Sequence, residues 1–170
     1  MEPHRPDADP SHDRGRIRNM TLADVPAVRL IDRSVSSVLT IIGEPLAGTT
    51  FGDSTIFLAT VDHRVVGLAA FTRRGRRLRL VRVAVMPGPR RQDTERALVR
   101  LGLRLAVRNG AGVLHCTAGL AAGAFLAENG FVCSSVDGAR GTFVQRVPPV
   151  SVTVRQRAPV SRPAVPSSQR

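Results

Sequence analysis

The stretch LVRVAVMPGPRRQDTERALVRLGLRLAV, residues 80–107, decides how the chain is read. It opens on an apolar, β-branched run (Leu80, Val81, Val83, Ala84, Val85) of the kind a buried strand uses. The run breaks at Met86-Pro87-Gly88-Pro89. Apolar residues then resume at Ala97, Leu98, Leu101 and Leu105, and a spacing of four marks one face of a helix. Strand, short loop and helix in succession place the free N–H groups of a first helical turn at the carboxyl end of a sheet. Such a turn is an anion site by geometry alone.

Working back from this stretch, Leu78 starts the strand and Arg73-Arg-Gly-Arg-Arg77 turns into it. Val65 to Phe71 and Ile56 to Val61, joined through Asp62-His63, read as a hairpin, so three consecutive antiparallel strands precede the long helix. The region from Ser34 to Ser54 reads poorly: Val35, Val38, Leu39, Ile41 and Ile42 suit a helix or a buried segment, followed by a loop from Gly43 to Asp53. Before it, Thr21 and Asp24 have capping-box spacing at the start of a helix whose stripe is Leu22, Val25, Val28 and Leu30 or Ile31, with Pro26 tolerable near its first turn. Ile17 to Met20 is a first short strand.

Working forward, Asn109-Gly110 is a helix stop, Val113 to Cys116 a short strand, and Ala121 to Glu128 a second helix stopped at Asn129-Gly130. Phe131 to Val136 and Thr142 to Val147 form a last hairpin through Asp137 to Gly141. Residues 1–15 are polar and residues 149–170 rich in Pro, Ser and Arg, compositions that suit disordered tails around a single domain spanning 16–148.

With 170 residues and 42% hydrophobic content, the chain has material for one domain with a real core. No apolar run reaches membrane-spanning length and the N-terminus lacks a signal core, so a soluble cytoplasmic protein with no membrane partner is expected. Cys116 and Cys133 are too few for a disulfide framework and lack metal-ligand spacing, so no metal is expected. The 25 basic residues, all Arg, outweigh 13 acidic ones to give a net charge of +12. That charge makes attraction to nucleic acid or an acidic partner credible, although the only aromatics are six Phe and stacking platforms are scarce.

The order of elements, strand, helices, three strands, helix, strand, helix, two strands, resembles the GNAT superfamily of acyl-CoA-dependent N-acyltransferases over roughly residues 16–147. The local matches are Ile17-Arg18 with Thr21 to Val28, Val65-Val66-Gly67, Val83-Ala84-Val85-Met86-Pro87, and Ala124 to Phe131 ending in Gly130-Phe131. The resemblance implies an α/β (α+β) fold: a mixed, mainly antiparallel sheet of about six to seven strands flanked by about four helices. It implies acetyl-CoA or another acyl-CoA as co-substrate, and a small-molecule or peptide amine as acceptor. A homodimer is a further expectation. The strand Val83, Ala84 and Val85 would align the thioester, and the loop and first turn, Arg90, Arg91, Gln92, Asp93, Thr94, Glu95, Arg96 and Ala97, would hold the pyrophosphate.

Departures from the family pattern fall on the chemistry. Where the loop usually carries two glycines or a glycine and an alanine, this chain has Asp93 and Glu95. The late helix offers Leu126 where many members have a Tyr that protonates the thiolate, and the chain has no Tyr at all. The fourth strand's polar positions are Arg79 and Arg82, which supply no general base. A helix N-terminus attracts an anion by about 0.3–1 kcal/mol, up to ~2 when partly buried. One carboxylate ~4 Å from a phosphate charge costs ~4 kcal/mol at an effective dielectric near 20.

Two states follow. In one, Asp93 and Glu95 cap the helix and the chain is a catalytically silent binding or regulatory module, with an acidic or nucleic-acid partner. In the other, Arg90 and Arg91 clamp the pyrophosphate, Asp93 and Glu95 turn out to solvent, and acid–base work falls to water or to Glu44 or Asp53.

His115-Cys116 does not read as a nucleophile with its base, because adjacent strand residues point to opposite faces. Cys116 and Cys133 both read as buried structural cysteines. Arg96, Arg100, Arg104 and Arg108 form the wet flank of the long helix, and the Arg73–Arg82 region a solvated hairpin end.

Overall fold

The computed structural model describes residues 15–34 and 54–148. The expected tails, the segment after Ser34, and the candidate acid–base residues Glu44 and Asp53 lie outside the described residues. Seven strands make one mixed sheet: β1 Arg16–Asn19, β2 Thr55–Val61, β3 Arg64–Arg74, β4 Arg77–Val85, β5 Val113–Gly119, β6 Val132–Asp137 and β7 Arg140–Arg146. Their order across the sheet is β1-β2-β3-β4-β5-β7-β6, antiparallel at every step except the parallel pair β4–β5. Three α-helices, α1 Val25–Ser34, α2 Arg91–Arg108 and α3 Gly123–Glu128, flank it among the described residues.

Tight turns set the hairpin registers. Asp62 and His63 both take left-handed backbone (φ 46° and 63°), the conformation a two-residue hairpin turn needs. The next turn is only Gly75-Arg76, so β3 and β4 extend further into the Arg-rich segment than the sequence indicates. Likewise β5 runs on to Gly119, because β7 pairs along its whole length.

α2 and α3 cover one face over a core built from Phe71, Leu80, Val83, Leu98, Leu114 and Phe143. α1 covers the other with Val28, Ile31, Ile56, Leu58, Leu68 and Ala84. The stripes differ in detail from the expected ones. α2 buries Glu95, Leu98, Val99, Gly102 and Ala106, leaving Ala97, Leu101 and Leu105 half-buried at its margins. The helix turns this way because Gly102 admits Phe71: an added Cβ would lie 2.7 Å from the ring's Cε1. Leu22, in a 3-10 turn ahead of α1, is 89% exposed, and Val28 and Ile31 carry the burial instead. That turn keeps its capping box: the Thr21 N–H donates to the Asp24 carboxylate at 2.8 Å, and Arg18 grips both carboxylate oxygens at 2.7 Å.

Candidate active site

The parallel pair β4–β5 holds together for four residues only, Arg77–Leu80 against Val113–Cys116. Beyond Leu80 the strands part. Val83–Val85 stays paired to β3 and Thr117–Gly119 to β7, which leaves the facing edges of the two strands without strand partners. The parting coincides with a bulge: Phe71 pairs with Leu80 and Ala70 with Arg82, so Val81 is an extra residue. Among the described residues, the fork thus leaves backbone donors and acceptors unpaired at the carboxyl end of β4.

From the end of β4 the chain passes through Met86–Pro89 into α2, as expected. Its N-cap is Arg90, and no side chain caps the helix. Neither arrangement expected for the two carboxylates occurs in full. Asp93 turns out, with 81% of its side chain exposed and Arg96 at 3.5 Å. Glu95 turns inward, with 4% of its side chain exposed, and accepts a 2.7 Å hydrogen bond from Arg91 Nε. It sits one turn inside the helix on the face that meets the sheet, where capping is out of reach. Burial pushes the Glu95 carboxyl up, and the Arg91 guanidinium opposes the rise. The first turn of α2 therefore keeps its anion-accepting end, with one carboxylate in solvent and the other countered by an arginine.

Beside this turn lies a cavity of about 300 Å³ between Val61, Val66, Val85, Pro87, Arg91 and Thr94. On the opposite flank Arg96 reaches Glu128 of α3 at 3.6 Å. Of the expected binding residues, Arg90 is the N-cap and Arg91 to Ala97 fill the first two turns of α2. The Thr94 N–H already bonds the Arg90 carbonyl, so Glu95, Arg96 and Ala97 lie beyond the turn with free amides. Val83 to Val85 lie on the fork edge leading to that turn. Val83, Ala84 and Val85 are themselves buried, so what they offer is backbone.

The fork's charged residue is Arg82, fully buried on the α1 side. Its Nε donates to Asp32 Oδ1 at 2.8 Å and its Nη2 to the Asp32 main-chain oxygen at 3.1 Å. Burial pulls the guanidinium's pKa down, and the Asp32 charge resists. Sequence reasoning missed Asp32. An acidic residue on the buried stripe of α1, beside Ile31, was the available signal.

His115 and Cys116 point to opposite faces. Cys116 is fully buried, and burial pushes its thiol up to about 12. Burial and the nearby Arg79 and Arg77 pull His115 down. Cys133, expected buried, is exposed, because β6 is the outer edge strand and all six of its residues face solvent. Among the described residues no cluster of three or more His, Cys, Asp or Glu side chains is placed to hold a metal ion, and no helix is long and apolar enough to cross a membrane.

No family model matches the chain. No curated protein matches it by sequence either. Solved structures do match by shape. The ribosomal-protein-S18-alanine N-acetyltransferase from Escherichia coli superposes with a TM-score of 0.67 at 18% identity, over 83% of this chain and 99% of that one. The PaiA N-acetyltransferase from Thermoplasma acidophilum, solved with coenzyme A, gives 0.64 at 12% identity over 78% and 99%. N-acetylglutamate synthase from Neisseria gonorrhoeae, complexed with coenzyme A and N-acetyl-glutamate, gives 0.65 at 17% identity, over 78% of this chain and 35% of that longer one. The chain has the GNAT fold.

Proposed function

We propose that this chain transfers an acyl group from acyl-CoA to an amine. One observation carries the reading: among the described residues, the fork's unpaired strand edge leads into a helix N-terminus that no side chain caps. An extended thioester coenzyme needs both, an edge that hydrogen-bonds its amide-bearing arm and a turn that accepts its pyrophosphate. The backbone of Val83–Val85 would hold the arm. The first-turn amides of Gln92 and Asp93 would meet the pyrophosphate, with Arg90 and Arg91 supplying charge. From Thr94, whose N–H donates to the Arg90 carbonyl at 3.0 Å, the helix uses its own amides. The bound thioester supplies the activated acyl group. Arg91 also limits the field of Glu95, which answers the repulsion expected from that carboxylate.

The test is a calorimetric titration of acetyl-CoA into the full chain, with desulfo-CoA and ATP as controls. Saturable one-to-one binding of acetyl-CoA at micromolar concentration, with ATP far weaker, is expected. Absence of binding up to millimolar acetyl-CoA, or equal binding of ATP, overturns the reading.

A second reading, a coenzyme-binding module without catalysis, is favoured by Arg82. The charged position of the fork holds a cation already committed to Asp32, and neither β4 nor β5 contains a carboxylate. Binding of acetyl-CoA without acyl transfer to any of a panel of amines selects it.

A further inference from the structure

The sheet has a second face beside the fork. On β4, β5 and β7, Leu78, Leu80, Leu114, Cys116 and Phe143 point into the core under α2 and α3, so alternation sends their neighbours to the far side. The registers align those neighbours in two rows. One is Arg74, Arg77, Val113 and Arg146; the other is Thr72, Arg79, His115, Val144 and Val132. Arg74, Arg77, Arg79 and Arg146 are all exposed and have no carboxylate partner among the described residues. β3, β4, β5 and β7 contain no acidic residue, and Asp137 of β6 stands at the far corner, registered against Arg140. Burial, and then Arg79 and Arg77, pull His115 down, so the imidazole lies in the field of these cations.

We propose that this face docks an acidic polypeptide segment, and that the amine acylated at the fork is carried on it. The docking half stands on the face itself, and the amine half rests on the acyl-transfer reading. Four unpaired guanidiniums repel one another, and carboxylates relieve that repulsion through charge-assisted, bidentate hydrogen bonds. Arg77 and Arg79 project about 7 Å apart along β4, the same repeat at which alternate side chains of an extended peptide recur. Half-buried Val113 and Val144, with Val132 70% exposed, lie among the cations and would cover apolar side chains of a peptide. A phosphate backbone gains nothing from those valines, and the face carries no Phe, Tyr or Trp for bases to stack on, with His115 its single ring. Arg79 and His115 pair one step before β4 and β5 part, so this face runs up to the mouth of the fork.

The experiment measures fluorescence anisotropy of an alternating Glu-Val octapeptide, free at its N-terminus and labelled at its C-terminus, titrated with the full chain. A Lys-Val peptide and an oligothymidylate of matched charge serve as comparisons. The variant R77Q/R79Q removes two cations from the face. R100Q/R104Q removes two from the exposed flank of α2, leaving the net charge equal. The Glu-Val peptide is expected to bind, to weaken about tenfold or more in R77Q/R79Q, and to change less than about threefold in R100Q/R104Q.

Equal weakening in both variants reduces the effect to net charge and overturns the proposal. Tighter binding of oligothymidylate through Arg77 and Arg79 also overturns it, assigning the face to nucleic acid. An acetyl-CoA titration on the same samples separates the two readings. Peptide binding without acetyl-CoA binding removes acyl transfer and keeps the docking face, whereas acetyl-CoA binding without peptide binding does the reverse.

Discussion

Replacing Asp32 by Ala tests the most heavily buried ion pair among the described residues. Arg82 has no exposed surface and the Asp32 side chain only 7%. Removing the carboxylate leaves a guanidinium that cannot lose its proton and cannot reach water. Breaking one side of such a pair costs about 3–5 kcal/mol. Arg82 keeps its bond to the Asp32 main-chain oxygen, which argues for the lower end, about 3 kcal/mol. In a domain of this size that lowers Tm by about 6–12 °C. Asp32→Asn keeps an acceptor near Nε and loses only the charge, so a smaller cost of about 1–2 kcal/mol is expected. The double variant D32L/R82M, which removes both charges and keeps the volume apolar, should come within about 1 kcal/mol of the natural chain. Urea unfolding followed by circular dichroism gives all three free energies. If D32A costs less than about 1 kcal/mol, or D32L/R82M is as damaged as D32A, Arg82 is not a buried, charge-dependent tie between β4 and α1.

Three further outcomes are expected. Arg91→Gln unmasks Glu95; at ~8 Å and an effective dielectric near 20 the carboxylate repels a phosphate charge by about 2 kcal/mol, about thirtyfold in Kd, beyond the charge that Arg91 itself lends the pyrophosphate, and adding Glu95→Gln should recover about that thirtyfold. Calorimetry checks it, and an unchanged R91Q would show that the pairing shields nothing. Because His115 is held below its ordinary 6.5, the unfolded chain binds that proton first as pH falls, so stability drops from 6.5 downward. In His115→Gln that part of the pH dependence should vanish from thermal unfolding curves. Iodoacetamide at pH 8 should modify Cys133 alone in the native protein, since the Cys116 thiol is buried and pushed up to about 12, with the second adduct appearing only in denaturant by mass spectrometry.

Much of the architecture was legible because local rules act on few residues. Asn109-Gly110 and Asn129-Gly130 end helices with glycines in left-handed backbone, and the order of strands follows from runs bounded by such stops. The loop from Met86 and the helix after it were readable for the same reason. What escaped was tertiary. The buried face of α2 follows from Gly102 meeting Phe71, a residue 31 positions earlier, as the numbering shows. Whether Asp93 and Glu95 cap, repel or turn away depends on which side of the helix meets the sheet. A list of residues holds that only once the rotation is known. Cys133 read as buried because its run looks like any apolar strand; its place at the sheet's edge is set by β7 entering between β5 and β6.

The bulge at Val81 ties these levels together. Leu78 and Leu80 face the core under α2, and unbroken alternation would send Arg82 there as well, among Val99, Leu114 and Phe143 with no carboxylate in reach. The extra residue shifts the phase. Val81 packs on the α1 side, Arg82 follows it to Asp32, and Val83 and Val85 return to the α2 core. A charged residue placed one step out of phase is thus accommodated by the distortion that ends the pairing of β4 with β5 and opens the fork. The ion pair then holds α1 against β4 at the same level. The run LVRVAV shows none of this, since apolar residues stand on both sides of its arginine and no alternation marks the slip. The physical requirement is nonetheless specific: a buried arginine needs a carboxylate, α1 supplies one, and only a bulged β4 brings the two together while keeping its other edge free.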